Sequence, residues 1–419
     1  MSAPRSVKGM RDLLPPETAV WAAVEATARR VFSLYGFEEI RTPIVEETEL
    51  FMRSVGESTD IVGKEMYTFE DKGGRSLTLR PESTAPVARA FVEHNLREQG
   101  LPLRLFYIGP QFRYERPQRG RYRQFHQIGA EVFGDPGPLS DVELLQMLLR
   151  FLDELGFEDL VVRLNTVGDR ASRSAYAQSL REFLAPRAAE LGEDSRRRLE
   201  TNPLRILDTK LPRERRVLED APRLEEHLSD ESREHFEMIV RMLAERGIEH
   251  QVDPGLVRGL DYYTRTVFEI ASAELGAQDA ILGGGRYDGL VADLGGPEVP
   301  ALGFAIGEDR LIEVLPASNA SRFVPAAPAT VIAVGGVAPE DALRLAEELR
   351  GSGLAAVAEL GAGAMKGALK RAGRRGSRYV LLLGDDELSS GAVTVKDFES
   401  GRQELMDRER VAGYLEERR

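Results

Sequence analysis

No cysteine occurs in the 419 residues, which excludes disulfides, a thiol nucleophile and thiolate metal sites. Histidine is scarce too. The five histidines, at 94, 126, 227, 235 and 250, form no HExxH-like pair, so no metal site built from protein alone is expected. Long hydrophobic runs are also missing: "YVLLLG" at Tyr379–Gly384 falls far short of the roughly 18 apolar residues of a membrane span. The opening "MSAPRSVKGMRDLLPPE" has no apolar signal-peptide core. The expectation is a cytoplasmic chain with no membrane partner. Familiar nucleotide loops fail as well. There is no GxxxxGK[ST], and the glycines of "GGGRYDG" (283, 284, 285 and 289) do not make GxGxxG.

The chain is too long for one core and predicts two or three domains. A net charge of −13 argues against general coating of nucleic acid, but it hides two basic runs. Residues 113 to 123 carry Arg113, Arg116, Arg119, Arg121 and Arg123 against the single acid Glu115; "KGALKRAGRRGSR", 366 to 378, carries six cations and no acid. Taken alone, either run reads as a solvated surface.

Periodicity predicts a helix over 17–34 with Trp21, Val24, Ala28, Val31 and Phe32 on one side, ended by Gly36, then a strand in "FEEIRTPIVEE" terminated near Pro43. "KEMYTFEDKGGRSLTLR" reads as a hairpin turning at Lys72–Gly74, and Pro81 opens a helix. Strand, basic loop and strand follow in "LRLFYIGPQFRYERPQRGRYRQFHQIGAEVFG", then a helix over 141–155. This succession of hairpins and helices favours an antiparallel sheet in an α+β domain. Residues 169 to 246 change to charge-rich helices and read as an inserted module, after which sheet-like sequence resumes at Ile248. "LPASNASRFVPAAPA", 315 to 329, is the linker candidate. Beyond it, alternating strands and helices predict a small, mostly parallel sheet.

Chemistry-bearing residues stand where strands or helix starts are expected. In "QFRYERP", Arg113 and Glu115 would share one strand face, either as a salt-bridged solvent face or as a guanidinium fork for phosphate with a carboxylate beside it. Glu82 and Thr84 in "RPEST" could cap the following helix, the stronger reading for Thr84. Gln127 and Glu131 share a strand face and are poor core material but good recognition groups. Gly283–Gly285 before Arg286 and Tyr287 either let a backbone approach a ligand or make a tight turn. Arg310 alone reads as an exposed helix arginine.

Together these segments resemble the histidyl-tRNA synthetase family of class II aminoacyl-tRNA synthetases. "YGFEEIRTPIVE" is similar to motif 1, a dimer-interface element; "FRYERPQRGRYRQFHQIGAEVFG" to motif 2; and "ALGFAIGEDRL" to motif 3. Those three define only the class. "LVRGLDYYTRTVFE" and "GGGRYDGL" resemble the histidine-specific motifs, and "TNPLRILDTK" and "VTVKDF" also match. The resemblance implies an α+β fold: an antiparallel catalytic sheet flanked by helices over 1–325, a helical insertion at about 169–246, and an α/β anticodon-binding domain over 326–419.

It further implies histidine–tRNA ligation in two steps, through histidyl-adenylate, with ATP as substrate, Mg²⁺ bound through the ATP phosphates, and tRNA(His), L-histidine and a homodimer as partners. Arg113 and Arg258 would be catalytic, at the α-phosphate. Arg121 and Arg310 would meet the outer phosphates, Phe125 the adenine, with Glu115 also on the ATP side. Glu82, Thr84 and Gln127 would hold the ends of histidine, and Glu131 and Tyr263 its imidazole nitrogens, with Tyr287 lining the pocket. Tyr262 stands between core and pocket and is grouped with them. Arg116, Arg119 and Arg123 would face the tRNA acceptor end, and Lys366, Lys370, Arg371 and Arg374 the anticodon arm. Ser83 stands where the family usually has glycine, which puts the local loop shape in doubt.

Two rivals remain. A histidine-binding regulatory subunit of ATP phosphoribosyltransferase would typically lack both the C-terminal domain and the catalytic arginine. A synthetase for proline, threonine or glycine would lack the two histidine motifs and the Gln127/Glu131 pair.

Overall fold

The computed structural model describes residues 3–56, 59, 61–117, 120–207, 209, 211–256, 260–272, 280–360 and 365–418. The chain divides into two compact units, Met1–Phe323 and Val324–Arg419.

In the first unit, α1 (Glu17–Leu34) buries Val20, Trp21, Val24, Ala28, Val31 and Phe32 and stops at Gly36, whose φ of 76° suits a residue without Cβ. The single strand expected in "FEEIRTPIVEE", ending near Pro43, is two: β1 (Glu38–Glu39) and β2 (Val45–Glu47) lie on either side of Pro43 and join different sheets. Proline offers no N–H to a ladder. The chain crosses between the sheets here, and the buried Arg80 pins the crossing by donating to Thr42 O at 2.9 Å and Pro110 O at 3.0 Å. After α2 (Thr48–Val55), β3 (Tyr67–Glu70) and β4 (Ser76–Leu79) form the expected hairpin, its turn closed by Asp71 accepting from Gly73 N and Arg75 N. With β2 they make a three-stranded sheet.

The helix α3 (Thr84–Glu93) leads to β5 (Leu103–Phe112) and β6 (Gln124–Phe133), antiparallel along their whole length, and α4 (Pro138–Glu154) to β7 (Leu160–Thr166). The predicted insertion is α5 (Arg170–Leu184), α6 (Glu193–Thr201), α7 (Pro212–Leu218) and α8 (Asp230–Glu245). Then come β8 (His250–Val252), β9 (Thr264–Ser272), β10 (Ala280–Arg286), α9 (Leu290–Asp293), β11 (Ala301–Gly307), α10 (Glu308–Val314) and α11 (Ala317–Arg322). The last helix lies within the stretch read as linker: Asn319 donates to Gly156 O, and Ala320 and Phe323 pack on the core.

The large sheet runs β1-β5-β6-β11-β10-β9-β7-β8, antiparallel inside and parallel only at the β1/β5 and β7/β8 edges. Its two faces differ. One packs Ile128, Ala130 and Val132 of β6 and Leu302, Phe304 and Ile306 of β11 against α1, α4 and the Ile239/Leu243 side of α8. Alternation therefore turns Gln127, Glu131, Gly303 and Ala305 to the opposite face, beside α3. No helix among the described residues is long and apolar enough to cross a membrane.

The second unit holds β12 (Ala329–Ala333), α12 (Pro339–Gly351), β13 (Ala356–Ala358), α13 (Met365–Arg375), β14 (Tyr379–Leu383), β15 (Ala392–Asp397) and β16 (Gln403–Asp407), in sheet order β13-β12-β14-β15-β16. The expected parallel pairing holds for β13, β12 and β14; β15 and β16 add as an antiparallel pair. Only the first three strands are joined through helices long enough for a parallel crossover.

Candidate active site

Glu131 is the centre of a buried polar cluster. It is fully buried, accepts from Thr84 Oγ1 at 2.8 Å on one oxygen and from the Tyr287 hydroxyl on the other. Burial pushes its carboxyl up to about 8, against the hydrogen bonds from Tyr287 and Thr84 that favour the anion. Room for it comes from β11: Gly303 is its register partner, and a Cβ there would collide with the carboxylate. Gly129 does the same for Tyr107 across β5/β6, where a Cβ would strike the phenol. Burial first, then Glu131 and Glu82, push the Tyr107 hydroxyl well above its ordinary value. Tyr107, Gly129 and Gly303 were not singled out from sequence. The only signal available was glycine inside a strand, which marks a close approach.

The capping reading of Thr84 is corrected. Glu82 carries the cap, accepting from Thr84 N at 2.7 Å and Ala85 N at 3.0 Å, while the Thr84 hydroxyl reaches across to Glu131. Glu82 is buried, and desolvation raises its carboxyl despite those two amides. Ser83 fits the loop by accepting from Gln111 Nε2 at 2.7 Å. Gln127 points the same way as Glu131, and its Oε1 is buried with no hydrogen-bond partner among the described residues. The rings of Tyr262 and Tyr263 lie 4.8 Å apart, and Tyr262 meets Tyr287 edge-on at 5.5 Å. Glu82, Thr84, Gln127, Tyr262 and Tyr263 line a cleft of about 920 Å³ that also takes in Arg113 and runs on to the helical insertion.

Arg113 and Glu115 lie just past the end of β5, not in a strand as expected. There Arg113 N still reaches Arg123 O at 2.9 Å, while Phe112 N and Tyr114 N, on the other side of the chain, bond to Arg80 O at 3.0 Å and Glu65 O at 2.7 Å. Arg113 is held by Pro81 O at 2.8 Å, lies 5.2 Å from the Phe125 ring centroid, and has Glu115 at 3.9 Å. Arg310, on α10, approaches the turn before Arg121: its Cδ would lie 3.4 Å from a Cβ at Gly120. Arg116 and Arg121 are exposed. Arg123 instead braces its own loop, donating to Glu115 O at 3.2 Å and covering the Tyr114 ring at 3.8 Å. Arg258 and Arg119 lie outside the described residues.

Gly283–Gly285 do not turn. They sit in mid-strand in β10, where a Cβ at Gly284 would meet the Gly303 carbonyl and the Phe304 Cβ of β11 and the ring of Phe268. Arg286, completing that strand, is fully buried and faces α4, donating Nε and Nη2 to Asp141 at 2.9 and 2.7 Å, Nη1 to Asp135 O and Nη2 to Gly137 O. It is structural, and it fixes the strand end from which Tyr287 reaches Glu131. In the second unit, Lys366, Lys370, Arg371 and Arg374 are exposed on α13, with Arg371 paired to Glu359 at 3.0 Å.

Family comparison agrees with this geometry. A model of histidyl-tRNA synthetases matches residues 9–311, and one of anticodon-binding domains matches residues 329–418. The chain belongs to the histidyl-tRNA synthetase family. It is 49% identical over 417 residues to the histidine–tRNA ligase of Nitratidesulfovibrio vulgaris strain DP4, covering 99% of both. The apo histidyl-tRNA synthetase of S. aureus superposes with a TM-score of 0.82 at 34% identity, covering 98% of this chain and 99% of that one. A Bacillus halodurans chain described as an ATP phosphoribosyltransferase regulatory subunit/histidyl-tRNA synthetase has a TM-score of 0.66 at 24% identity, over 91% of this chain and 98% of that one. That likeness carries the fold alone. For a histidyl-tRNA synthetase, a mostly antiparallel sheet with a second α/β unit is the architecture the motifs implied.

Proposed function

We propose that the chain is a histidine–tRNA ligase, joining L-histidine to AMP with release of pyrophosphate and then passing histidine to the 3′ end of tRNA(His). The observation that carries the amino-acid assignment is the buried polar cluster that meets the cleft at Thr84: Glu131 accepts from Thr84 and Tyr287, and Gln127, farther along the same face of β6, lines the cleft with its Oε1 unpaired among the described residues. Neutral imidazole is one donor and one acceptor. Glu131 and the Tyr263 hydroxyl would take its two nitrogens, Tyr287 and Tyr262 would wall the ring, and Glu82, Thr84 and Gln127 would hold the α-amino and carboxylate ends. A side chain lacking those nitrogens would leave buried polar groups unpaired, a discrimination on the order of 10⁴.

Activation is an in-line attack of a histidine carboxylate oxygen on the α-phosphorus. The bond to the β-phosphate oxygen breaks, and pyrophosphate carries the electron pair away. No side-chain nucleophile takes part. Negative charge on the equatorial oxygens is met by fixed cations, Arg113 and Arg258 at the α-phosphate and Arg121 and Arg310 at the outer ones. Arg113 is suited to this because Pro81 O and the Phe125 ring hold its guanidinium in place before substrate arrives. Phe125 would also stack on adenine. Mg²⁺ would ride on the ATP phosphates, with Glu115 as the acid of this loop available to it, and would neutralise phosphate charge. Arg116 and Arg119 would meet the acceptor end, and the exposed cations of α13 the anticodon arm. Membership of a homodimer is part of the same reading, as is a cytoplasmic location.

The test is ATP–pyrophosphate exchange with each amino acid offered singly, then charging of tRNA. Histidine alone should support exchange. Exchange with proline or threonine instead would end the reading; histidine binding without exchange would favour the regulatory subunit, which the ligase relatives at 49% identity over the full length already disfavour.

A further inference from the structure

Asp261 immediately precedes the two tyrosines of the cleft, and the helical insertion grips it. Its Oδ1 accepts from Asn202 Nδ2 at 3.0 Å and from Arg205 Nε at 3.2 Å. Arg173 of α5 donates to the carbonyls of Asp261, at 3.1 Å, and of Tyr263. Asn202 ends α6, and Arg205 lies in the short turn Pro203–Ile206 that follows. On its other side the carboxylate abuts the end of α2. There Gly56 takes φ 95°, and a Cβ would lie 2.6 Å from Asp261 Oδ2. Glycine is required twice over, for its backbone angle and for the space.

Three donors of one module thus converge on the residue that leads into Tyr262 and Tyr263, while β9 holds the segment from Thr264 onward. A staple that served only to dock the insertion would have no need to end on this residue. We propose that Asn202, Arg205 and Arg173 are positioning residues for amino-acid activation: the insertion sets the two tyrosines in the histidine cleft in the absence of any tRNA. The inference rests on the histidine-activation reading above. A shift of about 1 Å in a substrate-positioning group can cost on the order of 10²-fold, so the clamp is placed where small displacements matter.

The test is histidine-dependent ATP–pyrophosphate exchange by the full chain without tRNA, for Asn202→Ala, Arg205→Ala and Arg205→Lys. The two alanine variants should raise the KM for histidine at least about fivefold with the KM for ATP within about twofold, and Arg205→Lys should recover part of the loss. Asp261→Asn combined with Arg205→Ala should be no worse than the poorer single variant. Simple loss of folded protein would lower kcat and leave both KM values alone, so the split separates positioning from stability. An unchanged histidine KM in both alanine variants overturns the inference, whereas a wild-type chain with no histidine-dependent exchange overturns the activation reading and this inference with it.

Discussion

Gly303 and Glu131 face each other across β6 and β11, and the missing Cβ of the glycine is the space the carboxylate occupies. Gly303→Ala should displace Glu131 from Thr84 and Tyr287. The expected result is a histidine KM raised at least about tenfold, with a stability loss of about 1–3 kcal/mol from overpacking. Exchange kinetics and urea unfolding of the same preparation check both.

Glu131 also writes a pH dependence into stability. Burial lifts its carboxyl from the ordinary 4.5 to about 8 in the folded chain, so the folded state holds a proton that the unfolded state has lost across that window. Stability therefore declines as pH rises from about 4.5 to 8 and levels off above. Glu131→Gln, a neutral isostere, should flatten that decline by up to a few kcal/mol while raising the histidine KM. Denaturant midpoints from pH 5 to 9 are the measurement.

Glu308, at the start of α10, is a second acid of this kind and has no partner for either oxygen among the described residues. Burial, with Glu25 and Asp309 adding like charge, pushes it up to about 9. The sign is the same: the folded state keeps the proton, and stability falls with pH across 4.5 to 9. Glu308→Leu should stabilise the first unit by about 1–3 kcal/mol at pH 8 and by less at pH 5, as read from melting curves at the two pH values.

Arg286 and Asp141 form a buried pair in which the carboxylate bridges two guanidinium nitrogens. Burial opposes ionisation of Asp141, but Arg286 and then His235 outweigh it and hold the carboxyl below its usual range. Arg286→Met should cost about 3–5 kcal/mol, since it strands a buried charge. The double change Arg286→Met with Asp141→Leu should cost less than that single one, which equilibrium unfolding would show.

In the second unit, Lys366→Glu with Lys370→Glu should raise the KM for tRNA about tenfold at low salt and reduce the slope of log KM against log salt by about 1–2. Charging assays across a salt series test it. An unchanged slope would remove α13 from the tRNA surface.

Much of this protein was legible in the alternation of its residues. The period over 17–34 gave α1 with its buried face, the Lys72–Gly74 turn gave the β3/β4 hairpin, and the spacing of Gln127 and Glu131 put both on one side of β6. Errors came where a local rule met a non-local partner. Thr84 looked like a cap because cap chemistry is local, but its hydroxyl bonds to Glu131, 47 residues away. Arg113 looked like a strand residue because alternation continues past Phe112; β5 ends there, with one further bond from Arg113 N to Arg123 O and with Tyr114 N held by Glu65 O, 49 residues away. Gly283–Gly285 read as a ligand approach or a tight turn and are mid-strand, and the Arg286 that follows them is paired with Asp141, 145 positions away.

What the sequence determined by itself is the longer elements, the side of each that is apolar, and the residues whose chemistry suits anions and a polar ring. Periodicity suffices for that, because it is a property of each segment alone. Only the tertiary structure decided which polar faces meet: Glu131 with Tyr287 across 156 positions, and Asp261 with Asn202 and Arg205 of the insertion. Those pairings depend on strand order, register and the gaps that glycines leave between neighbours, and no short window of residues contains them.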